Sequence, residues 1–382
     1  MQTLLEIFWR FLALGCVSFG GPAAHMGYFQ KAFVQKLKWI DDESYARLIS
    51  LSQFLPGPGS SQVGFAIGLR RGGVAGGVAA FLGFTLPSFI LMYLLASSAV
   101  SQTDNQWFAG MVHGLKLLAV VVVADATLSM FRSFCKTTIT ISIAVMTAAT
   151  LLIFPSLWTQ MAVLVVAAVA GLVLHTPANT ISPQTATIKW GVIGVFTLLF
   201  ITLPIAAIWS PLLTLVSDFY QSGSLVFGGG HVVLPLLQQS LGDTVSPDRF
   251  LTGYAAAQAV PGPMFTLATF LGADLMPANP FIGALLATLA VFLPGFLLVI
   301  SLQDAWESLA ENPKVAGAIW GINASVVGLL MAALYQPVFA SAVTQPLHMA
   351  LVIVGFFVLR TFKIPILLLV AGFIAAGLLL PL

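Results

Sequence analysis

The chain has 382 residues, 59% of them hydrophobic and only 7% charged, with a formal net charge of +2 and two cysteines. A soluble domain carries charge on about a quarter of its residues, so a soluble globular protein is excluded, and nothing in the small net charge points to nucleic acid. Apolar runs long enough to cross a hydrocarbon core of about 30 Å recur from end to end without alternating strand segments, which predicts an all-α polytopic membrane protein.

The N-terminus, Met1 to Arg10, lacks the basic start and small-residue cleavage site of a secretory signal and is read as retained. Residues 4–37 form an apolar run interrupted at Phe19-Gly20-Gly21-Pro22, where glycine before proline stops one helix and starts another. Glu6 and Arg10 are four residues apart on the first helix and are expected to pair. A polar loop, Lys31 to Arg47, leads into residues 48–69, which hold Pro56-Gly57-Pro58 and end at Arg70-Arg71. Basic residues on both sides put both ends of this segment in the cytoplasm. It is therefore expected as a re-entrant hairpin with Pro-Gly-Pro near its tip. Ordinary spans follow at roughly 73–98, 108–131, 137–154 and 160–175, with Gly72-Gly73 and Gly76-Gly77 read as close packing contacts. A polar linker then leads to an extra span at about 190–209.

After that span the pattern restarts. Phe227-Gly228-Gly229-Gly230 answers Phe19-Gly20-Gly21-Pro22, and Gln258-Ala259-Val260-Pro261-Gly262-Pro263 answers Gln53-Phe54-Leu55-Pro56-Gly57-Pro58. Later landmarks follow at a separation of 205 to 210 residues: Pro294 answers Pro87, Gly317 and Gly321 answer Gly110 and Gly114, and Gly377 answers Gly171. Charge orients the copies. Arg70-Arg71 and the basic stretch Arg132 to Lys136 have uncharged or acidic counterparts, whereas the uncharged turn at Pro155 is answered by Arg360 and Lys363. Equivalent loops thus lie on opposite sides, and the copies are inverted. One loop dissents: Gln303 to Lys314 should be cytoplasmic yet holds three acids and one lysine. The expected organisation is a first repeat over residues 1–175, a linker and inverting span over 176–209 and an inverted second repeat over 210–382, with about nine full spans and about four broken or re-entrant segments.

The Phe-Gly-Gly-Pro and Pro-Gly-Pro blocks, repeated in order in both halves, resemble the chromate ion transporter family in its long, two-domain form, and the resemblance covers nearly the whole chain. It implies efflux of chromate from a bacterial cytoplasm across the inner membrane, driven by the proton gradient, with sulfate as the natural competitor. Gly230 stands where the first copy has Pro22, a departure that leaves the second break less rigid.

The residues themselves suit an anion. A helix broken in mid-membrane exposes N–H groups carrying about half a positive charge. Substrate contacts are therefore expected at Gly20, Gly21, Pro22, Pro56, Gly57, Pro58, Ser60 and Ser61, with Gln62 beside them, and in the second copy at Gly228, Gly229, Pro261, Gly262 and Pro263. Met264-Phe265-Thr266 follows the second tip, so that copy should contribute less. Lys116 and its counterpart Asn323 are added as candidates, the lysine either meeting the anion or reaching to the outer interface. Asp125, His25 and His231 are coupling candidates, with Asp125 alternatively paired to Arg132 and the histidines alternatively structural. Gln53 and Gln258 are expected to brace the tips, and the lone prolines Pro87 and Pro294 to be tolerated kinks.

Cys16 and Cys135 read as free thiols, and no metal-spaced cluster, Walker loop or nucleophile elbow occurs, so neither a cofactor nor an enzyme is expected. The expected partners are the oxyanion, protons and membrane lipid, with a second copy of the chain allowed. Transport of sulfate or another oxyanion is the alternative reading, ahead of an anion channel or an intramembrane enzyme.

Overall fold

A computed structural model describes residues 2–19, 21–99, 106–174, 187–227, 233–306, 312–362 and 364–380. Among these residues every regular element is helical, in accord with the all-α polytopic expectation. Five helices are long and apolar enough to cross a membrane: Gly59–Ser97, Ala109–Phe134, Trp190–Trp209, Pro280–Leu302 and Pro313–Ala342. Four shorter apolar helices, Thr138–Ile153, Trp158–Leu174, Pro346–Phe362 and Ile366–Leu379, lie where the sequence predicts further spans.

The chain opens with α1 (Gln2–Val17) and α2 (Gly21–Phe29), which fold back on each other. Phe11 of α1 stacks on Phe33 just beyond α2, with ring centroids 4.6 Å apart, and packs edge-on against Phe29. The first Pro-Gly-Pro stretch joins α3 (Asp42–Phe54) to α4 (Gly59–Ala99). Asp41 caps α3 by accepting the Ser44 N–H at 2.8 Å, and this bond holds its carboxyl below the usual carboxylate range. Within α4 the backbone turns sharply at Gly72 and Gly73, the latter at φ +63, so residues 59–71 and 74–99 are two arms. Gly59 sits beside Ser52, and Arg47 and Arg70 line one cavity, so α3 and the first arm of α4 run antiparallel and open at the same end. This is the hairpin the flanking charges predict, with Pro56-Gly57-Pro58 as its tip. Gly68 and Gly76 let the two arms of α4 touch backbone to backbone, and Gly77 packs on the Phe65 ring, the close packing expected of these small residues.

The first half continues with α5 (Gln106–Phe134), α6 (Thr138–Ile153) and α7 (Leu157–Leu174), and α8 (Trp190–Ala206) leads to the second. There α9 (Pro211–Leu225) and α10 (Val233–Leu241) repeat the first pair. The second Pro-Gly-Pro joins α11 (Pro247–Ala259) to α12 (Leu267–Leu275), and α13 (Pro280–Leu302) follows. Arg249 grips Asp274 through two nitrogens, one at 2.7 Å, and lies 4.8 Å over the Phe270 ring. That forked ion pair closes the open end of the second hairpin. The chain ends with α14 (Pro313–Ala333), α15 (Pro346–Phe357) and α16 (Ile366–Leu379).

The two halves interlock. Gly110 and Gly114 of α5 meet Gly377 and Phe373 of α16, while Gly317 and Gly321 of α14 meet Gly171 and Ala167 of α7. The glycines paired by the sequence repeat thus come together crosswise, each helix seated against the last helix of the other half. α8 lies outside the bundle with no buried residue. At its start Lys189 pairs with Asp304 at 2.9 Å, and Asp304 shares the cavity of Arg47 and Arg70; its far end, Trp209, shares a cavity with Leu241, Leu275 and Met276. A rise of 1.5 Å per residue over these twenty residues puts the open ends of the two hairpins about 30 Å apart.

No ion pair forms between Glu6 and Arg10, both of which lie toward the surface. Valine at Gly321, where a Cβ would overlap the Ala167 carbonyl, should cost about 1–3 kcal/mol by overpacking. Valine at Gly191, which faces open space on α8, should cost almost nothing. Thermal unfolding in detergent distinguishes them, and equal midpoints would contradict the interlocked packing.

Candidate functional site

The hairpin tips reach past each other. Gly57 N–H donates to the Val226 carbonyl at 2.7 Å, and Gly262 N–H donates to the Ser18 carbonyl at 2.9 Å. Val226 and Ser18 occupy matching places, each just beyond the first helix of its half. Each Pro-Gly-Pro tip is therefore tied by its glycine to the break in the opposite half. Both glycines have positive φ, +129 at Gly57 and +101 at Gly262. A Cβ at Gly57 would meet Gln62 Nε2 at 2.8 Å and Gly295 Cα at 3.0 Å, and one at Gly262 would meet Ser88 Oγ at 2.8 Å. Glycine is thus required twice over, by backbone conformation and by space. The flanking prolines fix the chain on either side and present no N–H of their own. Pro87 and Pro294, read from sequence as kinks, stand next to Ser88 and Gly295 and so beside the tips.

His25 links the tips. It is fully buried, with Nδ1 at 3.1 Å from Ser60 Oγ, Nε2 at 3.2 Å from the Ser18 carbonyl, and its ring edge-on to Phe84. The carbonyl can only accept, so Nε2 carries the hydrogen and Nδ1 accepts from the Ser60 hydroxyl. The Ser18 carbonyl then takes two hydrogens, from His25 and from Gly262. Gln62 braces the first tip by donating from Nε2 to the Pro56 carbonyl at 2.9 Å and to the Gly295 carbonyl at 3.3 Å. That is the role expected of Gln53, which is exposed; Gln258 is buried and its Nε2 lies 2.8 Å from Met264 Sδ.

Around this junction lie buried polar atoms with no protein partner: Ser18 Oγ, Ser61 Oγ, Gln62 Oε1 and Thr85 Oγ1. Each such group costs about 1–3 kcal/mol if nothing satisfies it. Ser61 lies at the start of α4, where a helix leaves its first N–H groups without partners in the helix, Ser18 is joined to Ser60 through His25, and Thr85 stands one turn before Ser88, which meets the second tip. The second tip differs. The turn Met264–Thr266 precedes α12, and the Thr266 hydroxyl is already committed to the Pro263 carbonyl at 2.8 Å.

The remaining predicted residues are distributed more widely. Gly21 opens α2 at φ +75 with Pro22 next to it. Gly20, Gly228, Gly229 and His231 lie outside the described residues. Lys116 does not meet the tips; it is buried and pairs with Asp248 at the start of α11. Asp125 pairs with Arg360 at 2.9 Å instead of Arg132, and Arg360 also donates to Ser129 Oγ at 3.2 Å. Asn323 is buried on α14 with Oδ1 lacking a partner. The sequence reading missed Ser18 and Thr85. Their only signals were adjacency to the Gly-Gly break and to the Pro87 landmark.

The chromate transporter family matches residues 5–173 and again 213–378. The chain belongs to that family. A relative named chromate transport protein in Pseudomonas aeruginosa is 29% identical over 339 residues, covering 85% of this chain and 79% of its own. A probable chromate transport protein of Synechococcus elongatus is 27% identical over 337 residues, covering 87% and 84%. An uncharacterized transporter of Methanocaldococcus jannaschii is 28% identical over 341 residues, covering 86% and 83%. No solved structure matches the chain significantly. As in its family, the chain is a membrane transporter and not an enzyme. The unpartnered hydroxyls at the junction allow a binding role to be separated from a structural one. Ser61→Ala and Thr85→Val remove a buried group that the fold leaves unsatisfied, so thermal stability without ligand should hold or rise by about 1 kcal/mol. Oxyanion affinity should instead fall about tenfold, one lost hydrogen bond to a charged ligand. A loss of stability with unchanged affinity would assign these hydroxyls to the fold.

Proposed function

We propose that this chain exports chromate, a tetrahedral dianion, from the cytoplasm, coupled to protons. The observation that carries the reading is the junction of the two tips: unpartnered buried hydroxyls and the start of α4 beside two backbone-locked glycines, with no charged side chain among the described residues there. Helix-end N–H groups and hydroxyls attract an anion without fixing it as strongly as a full cation would, which suits a cargo that has to leave again. The substrate residues are then Ser60 and Ser61 with Pro56-Gly57-Pro58, Gly21 and Pro22, completed by Pro261-Gly262-Pro263, with Ser18 and Thr85 added. Gly20, Gly228 and Gly229 belong to the same two breaks in the sequence. Names borne by relatives in two bacteria point to chromate. Sulfate is the second reading, because donors placed for a tetrahedral dianion discriminate weakly between the two.

In this reading the halves 1–175 and 210–382 are inverted about the span in 176–209, in the inner membrane of a bacterium. Support comes from Arg360, which reaches Asp125 near the end of α5 that carries Arg132, and from Asp304, which joins Lys189 and the cavity of Arg47 and Arg70. Basic residues of both halves then share the cytoplasmic side. The tip-to-break bonds also favour a carrier over an open channel, since the two halves meet where a pore would run. His25, held between Ser18 and Ser60, can report cargo binding, and Asp125 is engaged by Arg360.

In inverted vesicles, chromate uptake should need a proton gradient, compete with sulfate, and disappear when Pro56-Gly57-Pro58 is replaced by three alanines with the protein still in the membrane. Uptake that ignores a protonophore would overturn the coupling, and saturable uptake of sulfate alone would favour the second reading.

A further inference from the structure

Asp218 lies on α9, eight residues before Val226 and so about 12 Å along the helix from the carbonyl that receives the first tip. It lines a cavity of about 430 Å³ at the open end of the second hairpin, among Trp209, Pro211, Leu215, Leu241, Leu275 and Met276. Among the described residues it is the one ionisable side chain in that lining, which also holds Ser210, Thr214 and Thr244. The other aspartates of the apolar bundle have cations: Asp125 has Arg360, Asp248 has Lys116 and Asp274 has Arg249. Asp218 has neither a cation nor a hydrogen-bond donor among the described residues. The elements packed against α9 do not supply one. α8, α10 and α13 carry no ionisable side chain, α12 carries only the committed Asp274, and Asp243 in the turn after α10 is an acid whose side chain lies outside the described ones. In the first half the matching position is the exposed Arg10.

An isolated carboxylate in such surroundings is expensive, and ionisable groups kept within apolar helices mark proton and ion pathways. We propose that Asp218 carries the coupling proton, taken up from its cavity on one side of the membrane and released toward the other side after α9 has moved. With the proton on, α9 stays packed in its apolar surroundings. With the proton off, the carboxylate needs water or a cation, and the strain is relieved by movement of α9, whose end is bonded to Gly57 of the first tip. The proposal rests on the proton-coupled reading given above and names the residue that would perform it.

The test uses the full chain in liposomes. A hydrophobic carbodiimide, which attacks protonated carboxyls in apolar sites, is applied over a pH series and the modified residue located by peptide mass spectrometry. Asp218 should be labelled and Asp125, Asp248 and Asp274 spared, with labelling falling about tenfold per pH unit once the group titrates. In flux assays Asp218→Asn should lose the acceleration by a pH gradient while keeping chromate–chromate exchange, and Asp218→Glu should keep both. Absence of labelling at every pH, or gradient-driven flux unchanged in Asp218→Asn, overturns the proposal. If wild-type flux ignores the pH gradient, the coupling reading fails, and labelling still decides whether Asp218 holds a titrating proton.

Discussion

Two backbone hydrogen bonds, Gly57 N–H to Val226 and Gly262 N–H to Ser18, are the constraint on which the rest of this structure depends. A non-helical backbone in an apolar bundle is tolerated only where its polar groups find partners inside the protein. In each half the glycine N–H of the Pro-Gly-Pro tip finds its carbonyl in the other half. By trading an amide for a carbonyl across the centre, the halves satisfy one another, and every larger feature follows from keeping the tips in register. The forked Arg249–Asp274 pair secures the base of one hairpin, and the crosswise glycine contacts of α5 with α16 and α14 with α7 prevent the halves from sliding apart.

The duplicated frame does not make a symmetric site. After the first tip comes a helix start with Ser60, Ser61 and Gln62; after the second comes a tight turn that consumes the Thr266 hydroxyl. His25 belongs to the first half and bonds to its own Ser60 and Ser18, so the side chains of the polar chain through the centre come from the first half, while the second contributes backbone groups of Val226, Gly262 and Gly295. An asymmetric site in a symmetric frame gives the two end states different energies, which a carrier that moves cargo one way can use.

Much of the frame is legible in the sequence, because Pro-Gly-Pro in an apolar run has few structural meanings and flanking charge says which ends lie together. What pairs across the two halves is not legible. Asp125 and Arg132 are near in sequence, yet Arg360, 235 positions away, takes the carboxylate. Lys116 finds Asp248 in the same way, and the dissenting acids after Gln303 include Asp304, which Lys189 and a cavity with two arginines accommodate. The repeat also misleads at one point: it favours Gln53 because Gln258 answers it, whereas the bracing glutamine is Gln62, whose place in the second half falls to Leu267. Ser18 and Thr85 could not have been chosen, since a hydroxyl in an apolar helix ordinarily bonds to its own backbone. Only burial without a partner sets them apart.

The central claim is that cargo sits where the tips cross. The most direct measurement is an experimental structure of the chain in a membrane mimetic with chromate bound, the metal located by its X-ray absorption edge or by density. The account predicts chromate within hydrogen-bond distance of the first N–H groups of α4 and of the Ser18, Ser61 and Thr85 hydroxyls. Chromate held instead by Lys116 or by the arginines at the open end of the first hairpin, with the junction of the tips empty, would contradict it.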